Sequence, residues 1–221
     1  MKDKVAVIGV GCTNFGDLYE LGYEDLICEA AFQAYADAKI DPQDIQAAYL
    51  GTYMPGASGG KAAVSPGDAL RLYDRPITRV ENYCATGTDA FRNACLAIAS
   101  GAYDVVLVLG AEKLKDRGGR GLPRFGHPLL AKGNSAPGLF ALAANRYMHT
   151  FGLGRETLAK VAVKNHRNGA RNPNAFCARP IRRDQGGNDS LYCFIDLPTS
   201  QQQGLTERRG IGQPNRRQGC R

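Results

Sequence analysis

Four short apolar runs alternate with stretches of helical spacing through the first half of the chain, and this alternation constrains the fold most. The run Lys4–Gly11 (KVAVIGVG) is β-branched and closed by glycines, so it predicts a buried strand. Gln46–Tyr53 (QAAYLGTY), Thr78–Tyr83 (TRVENY) and Asp104–Gly110 (DVVLVLG) predict three more. Between the first two, Glu24–Lys39 places Leu26, Ile27, Ala30, Ala31, Ala34, Tyr35 and Ala38 on one helical face. Asp41 then stands as an N-cap with Pro42 at the first helical position. The stretch SPGDALRLYD predicts a short helix capped by Ser65, and Thr86–Gly101 predicts a helix ended by glycine. Strands alternating with helices predict an α/β fold, its mixed, mostly parallel sheet covered on both faces.

The pattern changes after Gly110. Residues 111–137 read as a polar loop, and two further helices are expected over Gly138–Gly152 and Arg155–Gly169. After Ala175 no period of 2 or 3.6 persists, so residues 176–221 are expected to be a disordered or non-native tail. From Pro173 to Arg221 there are eight Arg, no Lys and four acidic residues, which supplies +4 of the chain's net charge of +7. A change of reading frame or a truncation near residues 175–177 would produce this loss of lysine and periodicity together.

Several function classes are disfavoured. No segment approaches the ~20 apolar residues that span a bilayer, and the N-terminus lacks a signal-peptide pattern, so a cytoplasmic protein with no membrane partner is expected. Seven cysteines at irregular spacing fit reduced thiols, and no pair has the CxxC spacing of a structural zinc site. The Arg-rich tail lacks interleaved aromatics, which argues against nucleic acid. The glycines Gly9, Gly11 and Gly16 do not make a GxGxxG dinucleotide fingerprint.

The strongest chemical signal is ENYCATGTDAF, residues 81–91. It sets Cys84 between an expected strand and an expected helix, with small Ala85 and Gly87 beside it. A helix N-terminus offers partial positive charge and unpaired N–H groups. Both favour a thiolate, the nucleophilic form of cysteine. The Cys84 N–H is also placed to donate to an oxyanion. A buried structural cysteine is the competing reading of the same pattern, since free cysteine is among the most buried residues. Cys12, Cys28 and Cys95 read as packing residues.

The stretch VENYCATGTDAFRNACLAIASGAYDVVLVLGAEKLKD closely resembles the nucleophile region of thiolases. It looks most like the branch that holds sterol-carrier-protein thiolases and archaeal acetyl-CoA acetyltransferases. VAVIGVGCTNFG resembles that branch's first strand and turn, and GNSAPGLFALAANRYMHTFG and VAVKNHRNGARNPNA resemble its loop-domain helices. The resemblance runs from about Lys4 to Ala175. It implies a thiolase-like layered α/β fold, of which residues 1–175 form the N-terminal half-domain with a loop region over about 111–175. The second half-domain is not recognisable in this sequence. It also implies that Cys84 takes an acyl group from acyl-CoA as a thioester, for Claisen condensation or thiolysis. Coenzyme A thioesters are then substrates, no metal or redox cofactor is needed, and a homodimer or homotetramer is expected. A ketoacyl-synthase-like or retro-aldolase-like relative, and a non-catalytic subunit that docks on an accessory protein, are the alternatives.

The family's activating His, in a Gly-His-Pro motif, and its second Cys, in a Cys-x-Gly motif, belong to the second half-domain. The GHP at Gly126–Pro128 lies before the first loop-domain helix, so His127 reads as a loop histidine. The segment Asp116–Gly121 (DRGGRG) reads either as an anion-binding nest for CoA phosphates, helped by Arg117 and Arg120, or as a solvated loop. Lys113 reads as an ordinary surface lysine.

Overall fold

The computed structural model describes residues 3–53, 64–113, 136–176 and 179–181. The chain divides into two compact units, Met1–Thr13 with Asp17–Gly118, and Asn14–Gly16 with Gly119–Arg221.

The first unit contains helix α1 (Tyr23–Ala38), strand β1 (Ala47–Gly51), helix α2 (Val64–Ala69), strand β2 (Ile77–Val80), helix α3 (Thr86–Ala99) and strand β3 (Val106–Gly110). The strands form a parallel sheet in the order β2-β1-β3. Gly51 is level with Val80 on one side and Gly110 on the other, so the three carboxyl ends finish together. β1 is buried along nearly its whole length, as a central parallel strand covered on both faces must be.

Alternation along β1 sends Ala48 and Leu50 to one face and Ala47 and Gly51 to the other. On the first face lies the main core: Tyr23, Ile27, Ala31 and Tyr35 of α1, Leu70 and Leu72 after α2, and Leu107 and Leu109 of β3. The fully buried Ile27, Ile45 and Leu50 each contribute about 2–3 kcal/mol by leaving water. α3 covers the other face with Ala90 and Ala94, small side chains that let the helix approach the sheet closely.

The expected helices and three of the expected strands form within a few residues of their predicted bounds. Asp41 accepts from the Gln43 N–H at 2.9 Å and caps a single turn of 3₁₀ helix at Pro42–Asp44. α2 begins at Val64, so Ser65 lies inside its first turn rather than capping it.

The fourth expected strand, Lys4–Gly11, does not join the sheet. It lies along α1. The Val10 N–H donates to Asp37 Oδ2 at 2.9 Å and the Cys12 N–H to Gln33 Oε1 at 3.1 Å. Side chains of a helix thus take backbone donors that a neighbouring strand would take. The approach is close: a β-carbon at Gly9 would sit 2.4 Å from the Ala34 carbonyl oxygen, and one at Gly11 2.0 Å from that of Ala30. Val7, Ile8 and Val10 are left exposed. Apolar, β-branched composition predicts an extended backbone here, but pairing depends on a partner at the right place.

Lys113, just past β3, is also unlike its expectation. It is buried, and its ammonium donates to the carbonyls of Leu18 and Leu21 at 2.5 and 2.7 Å. It thereby ties the segment before α1 to the end of the sheet.

The second unit contains α4 (Ala136–Phe151) and α5 (Arg155–Gly169). Ala141 of α4 and Ala159 and Ala162 of α5 are buried. Tyr147 and Phe151, one turn apart, place their rings 4.6 Å apart. The Phe15 N–H donates to the Asn174 carbonyl at 2.9 Å.

Tyr35 is 4% exposed, and its hydroxyl has no hydrogen-bond partner. Burial, with a smaller effect of Cys28, pushes its phenol up to about 12 from 10.0. Below pH 10 the folded and unfolded chains both keep this proton. Above pH 10 the unfolded chain releases it and the folded chain does not until about pH 12, so stability falls across that window. Tyr35→Phe is expected to raise stability by about 1 kcal/mol at neutral pH, because a buried unpaired hydroxyl is removed. It should also flatten the loss between pH 10 and about 12. Urea titrations of both proteins at neutral and alkaline pH check this, and a less stable variant would refute it.

Candidate active site

Parallel α/β sheets place their sites beyond the carboxyl ends of the strands. Here those ends are bound to one another past the last ladder pairs. The Thr52 N–H donates to the Val80 carbonyl at 3.3 Å, and the Ala111 N–H to the Gly51 carbonyl at 3.3 Å. The Arg79 guanidinium on β2 donates to the Thr52 carbonyl at 3.3 Å and the Tyr53 carbonyl at 3.4 Å. From beyond β3, Glu112 Oε1 accepts from the Tyr53 N–H and from Thr52 Oγ1. A cation from β2 and an anion from β3 therefore grip the same two residues of the central strand's extension. The Tyr23 hydroxyl donates to the Ala111 carbonyl at 3.4 Å beneath them. Burial raises the Tyr23 phenol above its usual range, while a hydrogen bond with Thr52 acts the other way.

Cys84 lies at this edge. β2 ends at Val80, one turn of 3₁₀ helix spans Tyr83–Ala85, and α3 starts at Thr86. Cys84 is thus in the turn that enters the helix, two residues before its first, and its thiol is exposed. A buried structural cysteine is excluded at this position.

The residue before Cys84 carries the strain of the turn. Tyr83 has φ 45°, the left-handed region, which costs a residue with a β-carbon roughly 1–2 kcal/mol. Its N–H donates to Glu81 Oε1 at 3.2 Å. Its ring lies on that of Tyr53, with centroids 4.9 Å apart, so the clamped sheet edge supports the turn from one side. The α3 N-cap is Ala85, which provides no side-chain acceptor. The first turn of α3 therefore takes no oxygen from an N-cap side chain, and its Thr86 N–H turns to the Tyr83 carbonyl.

This arrangement presents an exposed thiol on a strained strand-to-helix turn, two residues before the first residue of α3. Sequence reasoning located Cys84 and the helix. It did not find Tyr53, Arg79, Tyr83, Thr86 or Glu112. Glu112 lies 60 residues from Thr52 in sequence, and no local pattern marks such a pair. Of the other expectations, Arg117, Arg120 and His127 lie outside the described residues. Cys28 packs on the main core and donates to the Ala69 carbonyl at 3.4 Å, and burial pushes its thiol up. Cys95 is partly buried on α3. Cys12 is exposed rather than packed, because its segment lies on the outside of α1.

The family described as "Thiolase, N-terminal domain" matches residues 5–180. The chain is 35% identical over 203 residues to the acetyl-CoA acetyltransferase of Methanothermobacter thermautotrophicus, covering 86% of this chain and 51% of that protein. It is 38% identical over 198 residues to the acetyl-CoA acetyltransferase of Methanocaldococcus jannaschii, covering 86% and 50%. Among solved structures, the Ltp2-ChsH2(DUF35) aldolase superposes with a TM-score of 0.66 at 25% identity, covering 83% of this chain and 48% of that one. The chain thus spans about half the length of the curated relatives it matches.

The clamp at the sheet edge has a measurable weight. Glu112→Ala removes the acceptor for the Tyr53 N–H and the Thr52 hydroxyl, and is expected to cost about 1–2 kcal/mol in chemical denaturation. Glu112→Gln keeps an acceptor oxygen and should recover part of it. An unchanged midpoint in Glu112→Ala would mean that strand pairing alone holds the edge.

Proposed function

Because this chain belongs to the thiolase family, as its match over residues 5–180 shows, we propose that it carries the acyl-accepting half of a thiolase-type acyltransferase. The observation that supports this reading best is the exposed Cys84 thiol on the strained turn into α3. Cys84 Sγ attacks the thioester carbonyl of an acyl-CoA. A carbon–sulfur bond forms to Cys84, the bond to the CoA sulfur breaks, and CoA leaves as the thiol with the proton that Cys84 gives up. The Cys84 N–H and the first turn of α3 receive the oxyanion of the tetrahedral intermediate. A second acyl-CoA, deprotonated at its α-carbon, then attacks the enzyme thioester. A carbon–carbon bond forms and the Cys84 sulfur leaves. The reverse direction is thiolysis of a 3-ketoacyl-CoA. This covalent, two-stage route uses no redox cofactor or metal.

Acetyl-CoA is the substrate proposed, after the names of the two archaeal relatives. The activating His and the second Cys of the family motifs are assigned to no residue of this chain. Residues 176–221 are taken as lying outside the half-domain. Arg117 and Arg120 are proposed as contacts for CoA phosphates. Among the described residues, no helix is long and apolar enough to cross a membrane, and a cytoplasmic site with a homo-oligomeric state is proposed.

A second reading rests on the aldolase neighbour, whose name couples two components. In it, the same edge cleaves a carbon–carbon bond by a retro-aldol step, with an accessory protein bound and no acyl group on sulfur. One measurement separates the two. Intact-mass and peptide-mapping spectrometry after incubation with acetyl-CoA is expected to show an acetyl adduct on Cys84, absent in Cys84→Ala. A folded wild-type chain that takes no adduct would overturn the acyl-acceptor reading and favour the second.

A further inference from the structure

Thr86 is the only polar side chain of α3 among the described residues that is buried, at 6% exposure. Its hydroxyl does not cap its own helix. It turns back into the preceding turn, where Oγ1 accepts from the Asn82 N–H at 2.8 Å and donates to the Tyr83 carbonyl at 2.6 Å. The Thr86 N–H also donates to the Tyr83 carbonyl. Three hydrogen bonds from one residue therefore close the loop around Tyr83 and Cys84. Two of them depend on the hydroxyl.

The methyl group of the same side chain faces the sheet. A β-carbon on Gly51 would stand 3.2 Å from Thr86 Cγ2, so the end of β1 and the start of α3 meet at this residue. Thr86 joins the rigid sheet to the strained turn. Tyr83 is held in the left-handed region from two sides, by the Tyr53 ring above and by the Thr86 hydroxyl at its carbonyl. Release of the Tyr83 carbonyl and the Asn82 N–H would let φ of Tyr83 relax. Such a relaxation rotates the peptide that leads into Cys84 and moves Sγ relative to the α3 N–H groups.

We propose that Thr86 is the positioning residue of the nucleophile, acting through the Tyr83 carbonyl and the Asn82 N–H and touching no substrate. The inference rests on the reading of Cys84 as acyl acceptor. It assigns separate roles to the two branches of one side chain. The hydroxyl sets the turn, and the methyl sets the distance between α3 and β1.

Two substitutions separate these roles. Thr86→Val keeps the shape and removes the hydroxyl, and Thr86→Ser keeps the hydroxyl and removes the methyl. Two reagents separate position from exposure. Acetyl transfer from acetyl-CoA needs Sγ and an oxyanion site in register, whereas alkylation by iodoacetamide needs an exposed thiolate and no oxyanion site. Peptide mapping follows both at Cys84, and follows alkylation of the partly buried Cys95 on the same helix as a report on folding. Thr86→Val is expected to slow acetyl transfer to Cys84 about tenfold or more, since small misplacement of a reacting group is costly. Its alkylation at Cys84 and Cys95 should stay within about twofold of wild type, because the thiol remains exposed and the helix intact. Thr86→Ser should acetylate close to the wild-type rate. Equal acetylation rates in wild type and Thr86→Val overturn the proposal. So does a variant in which Cys95 alkylation rises together with the loss at Cys84, because that is unfolding of α3. A wild type that alkylates at Cys84 and does not acetylate overturns the acyl-acceptor reading, and this inference with it.

Discussion

The first unit hangs on the hydrogen-bonded pairing of one short strand with both its neighbours. β1 is five residues long, yet it pairs in parallel with β2 and with β3 and is buried on both faces. Parallel neighbours require long crossovers, so α2 and α3 are placed wherever the strands they connect are placed. The small residues of β1 matter as much as its pairing. Ala47 and Gly51 face α3, and Ala48 and Leu50 face α1 and the main core. A larger side chain at any of the small positions would push a helix away from the sheet and the site with it.

The carboxyl edge of that sheet concentrates polar groups that the interior cannot hold. Thr52 bonds Glu112, and Arg79, Glu112 and Tyr23 satisfy backbone groups just beyond β1 and β3. This network makes a firm base for a strained residue. A left-handed Tyr83 persists because surrounding structure over-determines it, with a ring on one side and the Thr86 hydroxyl on the other. An exposed thiol on a relaxed surface loop would be one reactive cysteine among several, whereas Cys84 is held at a fixed place relative to a helix N-terminus.

The chain belongs to the thiolase family and spans about half the length of the curated relatives it matches. The half that is matched contains the turn that carries Cys84. It also contains an apolar segment, Val5–Val10, that does not pair in the sheet and leaves Val7, Ile8 and Val10 exposed. Its β-branched residues predict a strand. It lies along α1 instead, with its Val10 and Cys12 N–H groups taken by Asp37 and Gln33.

The sequence by itself determined the class and order of the elements, because helical and strand periodicities are local and each apolar face must be buried against something. Ile27, Ala31 and Tyr35 had to share one helix face, and a central strand had to be apolar on both sides. Cys84 was legible too, since a cysteine between a strand and a glycine-bearing helix start is a short-range pattern. Tertiary structure alone decided which strands pair, that Lys113 is buried under two carbonyls, and that Arg79 and Glu112 meet at Thr52 and Tyr53. These contacts join residues distant in sequence, and local propensity carries no information about them. The left-handed Tyr83 and its lock by Thr86 belong to the same group. A tyrosine adopts that conformation only where its neighbours compel it, and those neighbours are assembled by the fold.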